Sequence, residues 1–173
     1  MSLFLPIMLA GALASSSIAP NTTNADDKAP HGKHVVVLDT AAHRQMAVDL
    51  VTRAKVAAEM GLLDAARAQL LVANMMMREI GGVEEIPAYT LVHIDYALER
   101  YNEAGDLLTE LADAAIKNGK TSLAATAEAD AAELYHLGHR HSQAVTAVVR
   151  LRELLKDPSL SDSDRTALRK RLG

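Results

Sequence analysis

From residue 40 onward, apolar residues recur every three or four positions, and each such run stops at a glycine or a proline. This is the period of an amphipathic helix, with the breakers marking the turns. Gly61, Gly81-Gly82, Pro87, Gly105, Gly119, Gly138 and Pro158 divide the chain into seven predicted helices. The first, about 40–60, carries Met46, Leu50, Val51, Ala54 and Ala57; the second, about 63–79, carries Ala66, Leu70, Ala73 and Met77. The third, about 88–104, has Leu91, Ile94, Ala97, Leu98 and Tyr101, and the fourth, about 106–118, has Leu107, Leu108, Leu111 and Ala115. The fifth and sixth cover about 122–137 and 142–156, and a short seventh ends at Leu172. Pro87 suits a first helical turn, Thr121 and Ser142 are placed to cap the fifth and sixth helices, and Ser161-Asp162-Ser163-Asp164 resembles a capping box. Val35-Val36-Val37-Leu38 is the one β-branched run, and it has no evident partner strand.

Six helices make three hairpins, and a hairpin cannot bury its apolar stripe alone. Stacking neighbours buries it, about three repeats being the practical minimum, and the seventh helix would cover the open end. Tyr101 and Tyr135 lie 34 residues apart, in Ala-rich segments that both run on to a glycine, Gly105 and Gly138. With Ala54, Ala57, Gly61, Ala66, Leu70 and Ala73 in a first copy, Ile94, Ala97, Leu98, Tyr101 and Gly105 in a second, and Ala131, Ala132, Tyr135, Ala144 and Val148 in a third, residues from about 47 to 158 resemble degenerate tetratricopeptide repeats. The family's early large aromatic is replaced by Leu50, Ile94 and Glu128, and Glu110 stands where an alanine is expected. Ten extra residues separate the first copy from the second, centred on Gly81 to Pro87. The resemblance implies an all-α fold: a right-handed α-solenoid of about three antiparallel helix hairpins plus a C-terminal capping helix. A non-repetitive helical bundle is the alternative.

Ahead of this 40–173 domain the pattern changes. Residues 1–19 carry no charged side chain, run apolar from Leu3 to Leu13, and offer Ala12-Leu13-Ala14 as a cleavage site, which resembles a signal peptide lacking a basic start. An uncleaved membrane anchor is the rival reading. Residues 20–39 are mostly Asn, Thr, Asp, Lys, Pro and Gly and read as a flexible linker. Periplasmic or secreted placement is the expectation.

Composition narrows the function. Nearly half the residues are apolar but only 3% are aromatic, so small side chains dominate and closely approaching helices are favoured. The net charge of −4 argues against nucleic acid, which needs a basic face. Arg165, Arg169, Lys170 and Arg171 form a basic end that suits the last helix's dipole. With no cysteine, disulfides, thiolate metal sites and cysteine nucleophiles are excluded.

Few residues point to chemistry. His136, His139 and His141 gather around one turn and could bind a metal or small ligand, but no cysteine or nearby carboxylate completes a ligand set. Asp95 and Glu99, four apart, would share a helix face, read as solvated. No catalytic motif is present, so no enzyme and no cofactor is expected. Of Met75-Met76-Met77, at least one should face a neighbouring helix or a partner. The resemblance implies a groove lined by the first helix of each hairpin, here Lys55, Ala58 and Glu59, then Asp95, Glu99, Asn102 and Glu103, then Glu133 and His136. Its acidity would favour a basic protein or peptide. The expected function is therefore a non-catalytic interaction scaffold, with a helical bundle binding a metal or small ligand through the three histidines as the alternative.

Overall fold

A computed structural model describes residues 39–80 and 85–172. The predicted leader, all but the last residue of the linker, the Val35–Leu38 run and the centre of the Gly81–Pro87 loop lie outside the described residues. Seven helices follow in order: α1 (Thr40–Glu59), α2 (Leu63–Glu79), α3 (Glu85–Ala97), α4 (Tyr101–Lys117), α5 (Thr121–Leu137), α6 (His141–Leu154) and α7 (Asp162–Leu172). No strand occurs among the described residues, so the all-α expectation holds.

Four of the turns are built alike. Gly61, Glu99, Gly119 and His139 each adopt a left-handed backbone, with φ of 77°, 58°, 67° and 60°. In each, the next residue donates its N–H to a carbonyl five positions back: Leu62 to Ala57, Arg100 to Asp95, Lys120 to Ala115 and Arg140 to Tyr135. The left-handed residue itself donates to the carbonyl three back. This is the Schellman closure of a helix C-terminus. Leu62, Arg100, Lys120 and Arg140 then serve as N-caps of the next helix without any side-chain cap, each accepting from an alanine four residues on, Ala66, Ala104, Ala124 or Ala144. One backbone motif ends one helix and starts the next.

This motif corrects three sequence readings. The third helix was expected to run through Tyr101 to a break at Gly105; instead α3 stops at Ala97, Glu99 takes the left-handed position, and Gly105 lies inside α4. Tyr101 therefore opens a helix while Tyr135 nears the end of one, so the pair 34 residues apart does not occupy equivalent positions. Thr121 and Ser142 cap nothing: they follow the N-caps Lys120 and Arg140, and their hydroxyls donate to Asp157 and Gln143. The side chain of Ser161 does cap α7, accepting from the Asp164 N–H at 3.0 Å.

Each of α1 to α6 packs on its sequence neighbour, and further contacts join α1 to α3 and α5 to α7. Side chains also bridge alternate helices. Tyr89 of α3 donates to Asp130 of α5 at 3.1 Å, and Asp130 pairs with Arg171 of α7 at 2.7 Å. Arg78 of α2 pairs with Glu110 of α4, and Arg150 of α6 pairs with Asp113 of α4.

Alanines set how closely the helices approach. Ala54, Ala66, Ala73, Ala104, Ala112, Ala124, Ala127 and Ala131 are buried with almost no exposed surface. Leu70, Met77, Leu108, Leu111 and Leu134 fill the space between them. Each such large side chain contributes roughly 1.5–3 kcal/mol of burial free energy. One close approach is at Gly105, where an added Cβ would lie 2.8 Å from Cε1 of Tyr135. A second cluster, of Ala125, Ala129, Leu151, Leu155, Leu160 and Leu168, seats α7 against the end of the helical array.

Candidate functional site

Three consecutive helices leave a cleft of about 270 Å³ between them. Leu91 and Asp95 of α3 form its floor. Arg67, Leu71, Asn74, Met75 and Arg78 of α2 form one wall, and Glu103, Asp106, Leu107 and Glu110 of α4 form the other. Four carboxylates thus face two guanidinium groups.

Asp95 anchors this site. Only 2% of its surface is exposed, contrary to the solvated face expected, and Arg67 Nε donates to its Oδ1 at 2.5 Å. Burial raises its carboxyl above the usual carboxylate range, and the Arg67 hydrogen bond opposes that rise. Asn74, also buried, donates to the carbonyls of Leu70 at 3.0 Å and Pro87 at 3.3 Å, which ties α2 to the first turn of α3. The α4 wall is held from several sides. Glu110 pairs with Arg78 across the cleft, and Glu103 lies 3.6 Å from Arg100. Asp106 accepts from the Tyr135 hydroxyl at 2.8 Å and from Arg140 at 3.2 Å. Burial, reinforced by Asp106, pushes the Tyr135 hydroxyl up to about 12, so it remains a proton donor at any physiological pH.

Of the residues implied by the repeat resemblance, the structure brings only Asp95 and Glu103 into this cleft. Lys55 is half-buried and Glu59 exposed, both on α1. Glu99 belongs to a turn, not to the helical face it was expected to share with Asp95. Asn102 and Glu103 stand on α4 and not on the preceding helix; the Asn102 Oδ1 is buried without a hydrogen-bond partner, close against Gly138. Glu133 is engaged by Arg171 of α7 at 3.4 Å. Sequence reasoning missed Arg67, Arg78, Asp106 and Glu110. The available signal was the row Glu103, Asp106, Glu110, Asp113, whose three- and four-residue spacing puts four carboxylates on one face of α4. Of the three consecutive methionines, Met76 and Met77 are core, while Met75 is 53% exposed at the cleft wall.

Two other places have some features of a site. His136 and His139 lie beside His141, with ring centroids 5.7 and 6.2 Å away, yet no group of three histidines or carboxylates among the described residues is arranged to hold a metal ion. A wider hollow of about 590 Å³ lies between α7 and the segment that leads into it from α6, but its Arg165 already donates to the carbonyls of Leu155, Asp157 and Leu160.

A second carboxylate is buried more deeply. Glu128 of α5 has no exposed surface and takes the place where the repeat pattern expects an aromatic. Arg150 Nε lies 2.8 Å from Oε1, but out of line for a hydrogen bond, so neither oxygen of Glu128 has a hydrogen-bond partner. Desolvation drives its carboxyl up to about 7 against the opposing pull of Arg150.

No helix among the described residues is long and apolar enough to cross a membrane. Comparison with protein-family models, with curated proteins and with solved structures finds no significant match to this chain.

Proposed function

We propose that the helices form a tetratricopeptide-like two-layer stack acting as an exported, non-catalytic interaction scaffold, and that it binds a basic protein or peptide segment at the cleft between α2, α3 and α4. The odd helices would form one layer and the even helices the other. The contacts of α1 with α3 and α5 with α7, and the ion pairs linking α2, α4 and α6, support that arrangement. The observation that carries the binding assignment is the lining itself: four carboxylates against two guanidinium groups, among the apolar side chains Leu71, Met75, Leu91 and Leu107. The exposed ion pairs there are individually weak, so incoming cations can exchange with the resident arginines at little cost. Nothing in the cleft pairs a nucleophile with a base, which supports binding over catalysis.

The test is fluorescence anisotropy of the full chain with a lysine-rich and a glutamate-rich peptide of equal length. Preferential binding of the lysine-rich peptide, weakening as salt rises, is expected. Glu103→Lys combined with Glu110→Lys should reduce that affinity tenfold or more. Equal binding of the two peptides, or indifference to the charge reversal, would refute the assignment. Asp95 is not a suitable target, because its substitution would strand Arg67 and disturb the fold.

A further inference from the structure

The outer face of α2 carries an apolar row that the core does not use. The core takes Ala66, Leu70, Ala73 and Met77. Ala65, Ala68, Leu71, Val72 and Met75 point the other way, with Leu71, Val72 and Met75 exposed to 44%, 42% and 53%. Ala65, Ala68, Val72 and Met75 follow a spacing of three, four and three, so they form one stripe about 15 Å long at the helical rise per residue. Charged residues close it at both ends, Asp64 and Glu79. Leu71 and Met75 also belong to the cleft wall, so stripe and cleft adjoin.

Across the cleft, Glu103, Asp106 and Glu110 repeat the same helical spacing on α4. A hollow of about 270 Å³ is too narrow for a helix backbone but suits one or two long cationic side chains. An apolar row beside an acidic row, both with helical period, matches a ligand whose apolar face and basic edge also advance with that period. An extended segment would present its side chains at a period of two and match neither row. Methionine at the junction adds adaptability to the surface.

We infer that the occupant is an amphipathic helix that lays its apolar face on the α2 stripe and sends lysine or arginine side chains from one edge into the cleft toward Asp95, Glu103 and Glu110. This rests on the binding assignment above and adds the partner's conformation and its second contact surface. It corresponds to the helix-in-groove mode of recognition.

Three synthetic peptides of about 18 residues, long enough to cover the stripe, separate the possibilities. One has leucines on a helical face and lysines along its edge. The second has the same composition in scrambled order, and the third replaces the lysines with glutamate. The first should bind the full chain and gain helical circular dichroism on binding, and the other two should bind at least tenfold more weakly. Leu71→Gln with Met75→Gln, both at exposed positions, should weaken the first peptide tenfold and leave the scrambled one unchanged. Glu103→Lys with Glu110→Lys should weaken both lysine peptides. If the scrambled peptide binds as tightly as the amphipathic one, the helical partner is wrong while the acidic cleft stands. If no lysine peptide binds, both fail. If sedimentation shows a dimer that the glutamine pair dissociates, the stripe belongs to a second copy and the inference is overturned.

Discussion

Asp95 and Glu128 sit on alternate helices, each buried and each beside one arginine, yet their surroundings differ. Around Asp95 the walls α2 and α4 stand apart, leaving a cleft, and Arg67 donates an in-line hydrogen bond. Around Glu128 the surface is sealed, Arg150 is misaligned, and that same guanidinium is shared with Asp113. A buried carboxylate can therefore be accommodated in two ways. One sets a well-placed donor against the carboxyl at the edge of an accessible hollow. The other exchanges charge for a proton near neutral pH. The first leaves room for a ligand; the second makes stability depend on acidity.

The strongest way to break this contrast is Arg150→Ala. Glu128 titrates at about 7 in the fold and near the ordinary 4.5 of a glutamate when unfolded, so between those values the native state holds a proton that the unfolded chain has released. Stability therefore falls as pH rises through that window and levels off above it. Without Arg150 the ionised carboxylate has no counterion, and the loss should reach about 3 kcal/mol at pH 8 but far less near pH 5, where Glu128 is neutral. Urea unfolding at the two pH values measures this; equal losses would show that Glu128 stays ionised throughout.

Gly105→Ala probes the tight side of the contrast more mildly. On an open helix this change would gain up to roughly 1 kcal/mol. Here the new methyl would press on the Tyr135 ring, and a net loss of about 1–2 kcal/mol is expected in thermal or urea unfolding. A gain would mean that α4 and α5 can part without cost.

The smallest effect is expected at the turn beside the open cleft. Glu99 holds a left-handed conformation with φ of 58°, where Gly119 stands in the next turn. Glu99→Gly should stabilise the chain by about 0.5–1 kcal/mol by relieving that strain, less the extra entropy of glycine in the unfolded state. It should leave affinity for the lysine peptide unchanged, since the Glu99 side chain lies outside the cleft. Loss of binding would place the cleft under the control of that turn.

The helices were legible because their apolar stripes are long and regular, and bounds such as Leu63–Glu79 follow directly from the pattern. Gly61 and Gly119 were read correctly as turn residues because each supplies the left-handed position. Gly105 was misread because glycine serves equally where a backbone must turn and where a ring must approach, and the approaching ring belongs to Tyr135, thirty residues away. Glu99 was invisible as a turn centre, and the turn expected at Gly138 takes its left-handed residue at His139, because the Schellman closure uses backbone hydrogen bonds alone. Asp95 and Glu103 were picked out, one by a helical pairing with Glu99 that does not form and both by the repeat resemblance. The remaining cleft residues come from three separate helices, whose convergence no local spacing encodes.

The repeated turn has a consequence for how the chain reaches its fold. Each turn closes within about ten residues, and the principal packing joins neighbours in sequence. Contacts are therefore short in sequence, little loop-closure entropy opposes any single step, and order can begin at several places and spread along the chain. Such a topology favours rapid assembly, with more remote contacts, such as those of Ser122 with Asp164 and of Arg171 with Asp130, fastening α7 once α5 is in place.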